Sequence, residues 1–232
     1  VALAGVLAAS MLFTGCSKKA ESKVPDKLIV GTNAEFPPFE YMNDKKQPEG
    51  FDIAMIKEIG KRMGKKVEIK NMEFKSLIGA MESDSINAII AGMTKTEKRE
   101  KAVDFSDSYY TTNQAIILKK DSKITKLAQL DGKKIGVQEG TTGDLISSGD
   151  KFGDGKKAKV LVKGAKVKRF KKGVDAVMDL KNGSVDAVVI DELTANEFVK
   201  KNAKKLKIVI DSAGSEYYCI ALTKGNTAYK EE

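Results

Sequence analysis

Asp191 is the residue whose setting in the sequence points most clearly to chemistry. It directly follows the apolar run 187–190, Ala-Val-Val-Ile, which has the length and composition of a buried strand. A carboxylate at the end of such a strand needs a partner or a solvated edge, because an unpaired buried charge is costly. Asp191 is therefore either a binding residue at a strand end or the N-cap of a helix over residues 192–199.

A repeat within the chain pairs Asp191 with Gly92. Residues 81–90 align without gaps with residues 180–189, and both stretches have the pattern of a helix end, a polar turn and a buried strand. Gly92 and Asp191 lie just beyond these equivalent strands. Open α/β sheets bind ligands beyond the carboxyl ends of their strands, so two similar lobes predict a site in the cleft between them.

The composition excludes several other kinds of site. The chain has no histidine and only two cysteines, Cys16 and Cys219, which argues against histidine catalysis, Cys/His nucleophiles and the common zinc sites. No metal and no cofactor is expected. Cys219 lies in the apolar run 217–222 and is expected to be a small buried core residue.

The charge of the chain favours a solvated basic surface. The net charge of +9 comes from 41 Lys and Arg against 32 Asp and Glu, and the lysines are spread in short clusters such as Lys156-Lys157. A nucleic-acid-binding protein would interleave basic and aromatic residues on one element, and this pattern is absent. No nucleic-acid partner is expected.

The first 15 residues have the features of an export signal. Residues 1–13 are apolar and are followed by Thr-Gly-Cys16 and a charged stretch, a run shorter than the ~20 apolar residues of a spanning helix. Residues 12–16 resemble a bacterial lipobox, with Phe13 where leucine is usual, so Cys16 is expected to be lipidated and 16–26 to form a tether. The alternative is a plain secretory signal with an incidental cysteine. The absence of an initiator methionine and a basic start suggests truncation at this end.

The rest of the chain alternates strands and helices. Such alternation predicts an α/β fold with a largely parallel, helix-covered sheet. The first series comprises a strand at 27–32, a helix at 51–63, a strand at 67–71, a helix at 76–82 and a strand at 86–91. The second comprises a strand at 115–118, a helix at 124–130, a strand at 134–137, and then a Gly/Thr loop and another helix.

Several stretches together resemble the family 3 extracellular solute-binding proteins. These are GTNAEFPPFEY at 31–41 with GFDI at 50–53, AGMTKTEKR at 91–99 with VDFSD at 103–107, GVQEGTTG at 136–143 and DAVVID at 186–191. The resemblance covers about residues 27–228 in the expected order. It implies a periplasmic-binding-protein-like α/β fold, with two α/β lobes joined by two crossing hinge strands and a cleft between them.

The resemblance also implies boundaries and a function. Lobe 1 would comprise 27–112 plus 216–232, lobe 2 would comprise 113–215, and the crossings would fall near 111–115 and 212–217. The chain would be truncated at its C-terminus as well. It would be the substrate-binding component of an ABC importer, an exported monomer anchored at the outer face of the cytoplasmic membrane. It would bind a free polar amino acid, deliver it to a membrane permease and catalyse nothing.

Carried over to this sequence, the resemblance assigns the cleft residues. Arg99 would grip the ligand carboxylate through a bidentate fork, with further donors from Thr94 and the Thr142 backbone N–H. Asp191, the Gly92 carbonyl and the Thr94 hydroxyl would take the ammonium. The remaining wall would come from Phe36, Phe74 and Ala91.

The pocket for the ligand side chain leaves more than one ligand open. Its polar candidates are Asn33, Glu35 and Gln138. Asn33 favours an uncharged polar ligand such as glutamine, cysteine or cystine, whereas Glu35 could favour arginine or lysine. Two further alternatives remain on the same fold: an enzyme resembling the cyclohexadienyl dehydratases, which act on prephenate or arogenate, and a sensory ligand-binding module.

Overall fold

In the computed structural model, which describes residues 25–153, 159–211, 215–226 and 228, most strands belong to two five-stranded sheets. The strands are β1 Lys27–Thr32, β2 Glu35–Phe36, β3 Glu40–Met42, β4 Pro48–Glu49, β5 Lys66–Asn71, β6 Ala88–Ile89, β7 Val103–Thr112, β8 Gln114–Lys119, β9 Lys134–Gln138, β10 Lys151–Phe152, β11 Lys159–Val160, β12 Lys166–Phe170, β13 Ala187–Asp191, β14 Leu206–Ile210 and β15 Glu216–Thr223. The α-helices are α1 Phe51–Arg62, α2 Leu77–Glu82, α3 Glu97–Glu100, α4 Thr142–Ser147, α5 Gly173–Asn182 and α6 Glu192–Lys200.

The two sheets define two lobes. The first sheet has the order β5-β1-β6-β15-β7 and, with α1–α3 and the small sheet β2-β3-β4, forms the first lobe. The second has the order β12-β9-β13-β8-β14 and, with α4–α6 and the hairpin β10-β11, forms the second. The chain crosses between the sheets twice, from β7 to β8 and from β14 to β15. The predicted second crossing includes residues 212–214, which lie outside the described residues.

Each lobe contains the same three-stranded parallel unit. In the first, β1 lies between β5 and β6, and in the second, β9 lies between β12 and β13. The other neighbours run antiparallel, so the sheets are mixed rather than largely parallel as expected. The reason is the connectivity: β8 and β15 enter their sheets at the edge where β13 and β6 end, and therefore run in the opposite direction.

Burial follows the order of the strands. β13 is buried along its whole length and β8 along all but its last residue, whereas the edge strands β5 and β12 are only partly covered. Continuous apolar runs are typical of central strands covered on both faces. Cys219 lies in β15 and is buried and unpaired. Among the described residues no helix is both long and apolar enough to cross a membrane.

Two predicted elements differ from the structure. The helix expected at 124–130 is only a 3₁₀ turn at Leu127–Leu130. The side-chain oxygen of Gln129 accepts the N–H groups of Thr125 and Lys126, and Asp211 accepts that of Leu127, so side chains end the turn early. The strand expected at 86–91 is reduced to β6 at 88–89. Cys16 and the predicted signal segment lie outside the described residues.

Candidate functional site

Loops at the carboxyl ends of strands from both lobes enclose one pocket. All the predicted site residues except Glu35 line it. The lining consists of Asn33, Phe36, Phe74, Ala91, Gly92, Thr94 and Arg99 from the first lobe, with Gln138, Thr141, Thr142 and Asp191 from the second. The pocket therefore lies where the fold predicts a ligand, beyond the strand ends and between the lobes.

Arg99 is a buried cation held by backbone oxygens. It lies in the short helix α3, whose N-cap Thr96 accepts the Arg99 backbone N–H. One terminal nitrogen donates to the Thr94 carbonyl at 2.6 Å and the other to the Gly140 carbonyl at 3.0 Å. Gly140 belongs to the second lobe, so this side chain crosses the cleft. A guanidinium has five N–H donors, and the two carbonyls leave three of them for a ligand.

Burial lowers the pKa of Arg99 to about 10, and the carboxylates of Glu216 and Asp191 oppose that shift. The side chain is therefore still protonated at neutral pH. The Phe74 ring lies beneath the guanidinium, with 5.3 Å between its centroid and the guanidinium carbon. This cation–π contact gives Phe74 a role in holding Arg99 as well as a place in the pocket wall.

Asp191 faces the pocket from the second lobe. It ends β13 and occupies the N-cap position of α6, yet its side chain makes no capping hydrogen bond. Instead, one carboxylate oxygen accepts from the Gln114 amide at 2.8 Å and the other from the Tyr218 hydroxyl. The helix-cap alternative is therefore wrong for this side chain.

A second buried carboxylate, Glu216, lies beside Asp191. It accepts a hydrogen bond from the Thr94 hydroxyl at 2.6 Å and another from the Gln114 amide at 2.7 Å. Burial raises the pKa of Asp191 to about 7, and the neighbouring charge of Glu216 adds to that shift. Burial also raises the pKa of Glu216, although hydrogen bonds from Thr94 and Gln114 oppose it. The pocket is thus lined by one cation and one carboxyl group, Asp191, and the second carboxyl group, Glu216, is hydrogen-bonded to Thr94 of the lining.

Sequence reasoning named Thr94 but missed Glu216 and Gln114. Thr94 and Gln114 are 122 and 102 residues away from it along the chain, so no local pattern connects them. The only available signal was the predicted hinge crossing at 212–217, which contains Glu216. Thr141 was also missed, although it lies in the Gly/Thr loop.

Two further carboxyl groups lie behind Gly92. Asp52 accepts the Gly92 backbone N–H and the Tyr109 hydroxyl, each at 2.8 Å. Burial raises the pKa of both Asp52 and Glu40, and the neighbouring Asp52 raises that of Glu40 further, well above its ordinary value. Neither oxygen of Glu40 receives a donor from another described residue, and its raised pKa favours the protonated acid, whose proton would lie between Glu40 and Asp52.

The aromatic side of the pocket is tightly packed around Gly92. This glycine has a φ of 50°, and a Cβ added to it would lie 3.1 Å from the Phe36 ring and 3.3 Å from that of Tyr218. Phe36 also stacks on Phe39 at a centroid distance of 6.3 Å. Only glycine suits both the left-handed backbone and this close approach. Phe36 is therefore both a core residue and a pocket wall.

The remaining predicted residues connect the two rims of the cleft. The Gln138 amide donates to the Asn33 side chain at 2.7 Å, joining the lobes within the pocket. Glu35 does not line the pocket: it lies on the rim and pairs with Lys172 of the second lobe at 2.7 Å. Two more ion pairs span the cleft, Lys75 with Glu139 and Lys171 with Glu73. The described lobes are thus in a closed arrangement.

Comparison with known proteins agrees with this geometry. Residues 28–229 match the model of the bacterial extracellular solute-binding proteins, family 3. The arginine-binding extracellular protein ArtP of Bacillus subtilis is 36% identical over 204 residues, which cover 87% of this chain and 75% of ArtP. The L-cystine-binding protein TcyJ of Escherichia coli is 28% identical over 97% of this chain and 84% of its own length.

Solved structures extend the comparison. The holo arginine-binding protein of T. maritima superposes with a TM-score of 0.77 at 41% identity, covering 89% of this chain and 86% of that one. An ancestral arginine-binding protein bound to glutamine gives a TM-score of 0.77 at 41% identity, covering 90% and 89%. The chain therefore belongs to the family 3 bacterial extracellular solute-binding proteins, exported two-lobed proteins that bind amino acids for ABC transporters.

Proposed function

We propose that this protein binds a cationic amino acid, arginine first among them, with the ligand bridging Arg99 and Asp191. The observation that carries the proposal is the placement of these two residues: they are buried, oppositely charged, on different lobes and in the lining of one pocket. A free amino acid has a carboxylate and an ammonium on one carbon, so it matches both groups at once.

At the carboxylate end, Arg99 supplies the fixed cation. Its contacts with Thr94 and Gly140 hold the guanidinium in place, and its remaining N–H groups would form the fork for the ligand. Thr142 begins α4, and the first N–H groups of a helix have no partner within it, so its backbone N–H would add a donor. Lysine at position 99 would have neither the fork nor the reach to both carbonyls.

At the ammonium end, Asp191 would provide the charge and Gly92 and Thr94 the neutral acceptors. The pKa of Asp191, raised by burial to about 7, would fall when the ammonium binds, since an adjacent cation favours the ionised form. Binding would therefore release protons below about pH 7 and weaken on acidification through that range.

An unpaired acceptor in the pocket supports a ligand whose side chain carries hydrogen-bond donors. The side-chain oxygen of Gln138 is buried in the pocket region and has no donor among the described residues. An unpaired buried acceptor costs about 1–3 kcal/mol, which a guanidinium N–H would remove.

The ligands of the relatives point the same way, since ArtP and the T. maritima protein are named for arginine. Glutamine is the second candidate, because the ancestral arginine-binding protein also has a glutamine-bound structure. The uncharged polar ligands favoured by Asn33 are therefore the second group of candidates, after arginine. Asn33 is engaged by Gln138 in the closed arrangement, which leaves it less free to select a ligand.

Ligand-driven closure follows from the two-lobe placement. A ligand held by both lobes stabilises the closed state over the open one by its differential contacts, which is a shift in population. The closed form would be the one that the permease engages. We also propose the lobe boundaries at 27–112 plus 216–232 and at 113–215, lipid anchoring through Cys16 after removal of the signal segment, and the absence of catalysis.

The test is calorimetric titration of the purified protein with arginine, lysine, histidine, glutamine, cysteine and cystine. We expect one-to-one binding with arginine tightest, and glutamine at least about 10-fold weaker. Tighter binding of glutamine or cystine would overturn the cationic assignment but keep the receptor. Absence of binding by the whole panel, with turnover of prephenate or arogenate, would favour the enzyme alternative instead.

A further inference from the structure

We propose that Glu216 is a positioning residue that makes the Thr94 hydroxyl an acceptor for the ammonium of the ligand. Glu216 does not line the pocket itself. It would act by taking the Thr94 proton away from the pocket and by aligning the Gln114 amide with Asp191. The inference rests on the proposed binding of an amino acid between Arg99 and Asp191, and it assigns a residue that the sequence did not reveal.

The direction of each hydrogen bond follows from the chemistry of a carboxylate. Ionised Glu216 has no proton to give, so in its 2.6 Å contact with Thr94 the hydroxyl must be the donor. A threonine hydroxyl has one proton, and this contact uses it. The lone pairs of the Thr94 oxygen then remain available to the ammonium, and Thr94 has no proton left for the ligand carboxylate, the donor role that the resemblance implied.

The same reasoning fixes Gln114. Its amide nitrogen lies 2.7 Å from Glu216 and 2.8 Å from Asp191, so its two hydrogens point at the two carboxylates. A flipped amide would place an oxygen against both carboxylates, which would repel it. Glu216 and Asp191 together determine the orientation of Gln114, and Gln114 in turn supports one oxygen of Asp191.

The ionised form of Glu216 is supported by the donors around it. It is only 1% exposed, and burial alone would favour the protonated acid. Hydrogen bonds from Thr94, Thr142 and Gln114 and the charge of Arg99 all act in the opposite direction. Two donors, at 2.6 and 2.7 Å, converge on this carboxylate, which is the arrangement expected of an anion, because a protonated acid would bring a further proton into the cluster.

The position of Glu216 explains why the network can serve both lobes. Glu216 is the first residue of β15, where the chain returns to the first sheet, and Gln114 is the first residue of β8, where it enters the second. Thr94 belongs to the first lobe, and Asp191 and Thr142 belong to the second. The ammonium site would thus be assembled at the two crossings, where rotation of the lobes displaces atoms least.

The test is the isosteric substitution Glu216→Gln combined with Thr94→Val. In Glu216→Gln, an amide N–H facing Thr94 would turn the hydroxyl proton into the pocket, against the ammonium. We expect about 10- to 100-fold weaker arginine binding in each single variant, corresponding to the loss of one charge-assisted hydrogen bond. In that orientation the carbonyl oxygen of the new amide would still accept from Gln114, so the effect of Glu216→Gln acts through the Thr94 hydroxyl. The double variant should therefore lose no more than about threefold beyond Thr94→Val.

A ligand without the ammonium and a control variant outside the pocket test whether Glu216 acts on the ammonium. Des-amino arginine, which has the guanidinium and the carboxylate but no ammonium, should lose less than about threefold on Glu216→Gln. Glu192→Gln, the same change at a residue that bonds Asn113 outside the pocket, should leave arginine binding unchanged. Thermal unfolding of each variant checks that it is folded.

Three results would overturn the inference. They are unchanged arginine binding in Glu216→Gln, equal losses for arginine and its des-amino analogue, and additive losses in the double variant, as a purely electrostatic effect predicts. If Glu216→Gln does not fold, Thr94→Val decides, because it should weaken arginine and spare the analogue. If the analogue binds wild type too weakly to titrate, the double-variant comparison decides. Failure of wild type to bind any amino acid would instead refute the proposed function.

Discussion

The two lobes place equivalent residues at the pocket and use them differently. Gly92 follows β6 and Asp191 ends β13, the equivalent strands of the parallel unit in the two lobes. β13 continues to Asp191, which pairs with Gln114 of β8, so a side chain is presented from a regular strand. β6 ends at Ile89, and the chain has left the sheet when it reaches Gly92 with its φ of 50°.

The difference shows how two lobes of similar topology can present different binding groups. In the second lobe the sheet ladder holds the backbone, and a carboxylate does the binding. In the first lobe Gly92 lies beyond the strand, and its backbone N–H is accepted by the Asp52 side chain instead of by a neighbouring strand. The loop that follows supplies backbone and hydroxyl acceptors, and then Arg99. Opposite charges thus reach one pocket from two lobes of similar topology.

The largest effect is expected from removing the charge of the second lobe. Asp191→Asn should weaken arginine binding by at least about 100-fold, since it removes a buried charged partner. The pKa of Asp191 is raised to about 7, so stability that is present at low pH is lost as the pH rises towards 7. At pH 8 the variant should therefore unfold at the same temperature as wild type or higher. Titration calorimetry measures the affinity, and thermal unfolding at pH 8 measures the stability. Retained affinity for arginine would contradict the bridging role of Asp191.

An intermediate effect is expected from the support behind Gly92. Asp52→Asn disturbs the acceptor of the Gly92 N–H and should weaken arginine binding by roughly 10-fold, in line with the loss of one buried hydrogen bond to a charged group. Glu40→Gln is the matched control, because it keeps a neutral donor facing Asp52 and should leave binding nearly unchanged.

The same pair predicts a pH dependence. The raised pKa of Glu40 means that its stabilising contribution is complete below the unfolded value, near pH 4.5, and declines as the pH rises towards the folded value. Asp52, Tyr109 and Asp191 surround this region and remain in the variant. In Glu40→Gln the decline in unfolding free energy above pH 4.5 should be smaller than in wild type. An unchanged pH profile would show that Glu40 is not the protonated partner.

The smallest effect is expected on the rim. Glu35→Gln removes the ion pair with Lys172, whose side chain is 49% exposed, and such pairs contribute only about 0–1 kcal/mol. Arginine affinity should fall less than about threefold if Glu35 acts only between the lobes, as Glu139→Gln should do at the pair with Lys75. A loss for arginine much larger than for glutamine would place Glu35 at the ligand side chain instead.

Most of the fold and part of the site could be predicted from the sequence. The alternation of strands and helices predicted the two parallel units, and the gap-free repeat identified β6 and β13 as equivalent, because strand and turn patterns are local. The mixed direction of the sheets was not predicted, since it depends on where β8 and β15 enter. Local patterns also suggested a helix at 124–130, where the side chains of Gln129 and Asp211 take the backbone donors.

The resemblance identified pocket residues that lie too far apart in the sequence for their spacing alone to connect them. Glu35 lies on the rim rather than in the pocket, because β2 turns its side chain towards Lys172. Glu216 was missed because its partners Thr94 and Gln114 are distant from it in sequence, one in the loop before α3 and the other in β8. The proposed ammonium site could not be derived in full without this second carboxylate.

The bridge between Arg99 and Asp191 is best tested by titrating the wild-type protein with arginine, arginine methyl ester and des-amino arginine. We expect both modified ligands to bind at least about 100-fold more weakly than arginine, because each lacks one end of the bridge. Binding of either analogue with an affinity close to that of arginine would contradict the bridge and the mode of closure derived from it.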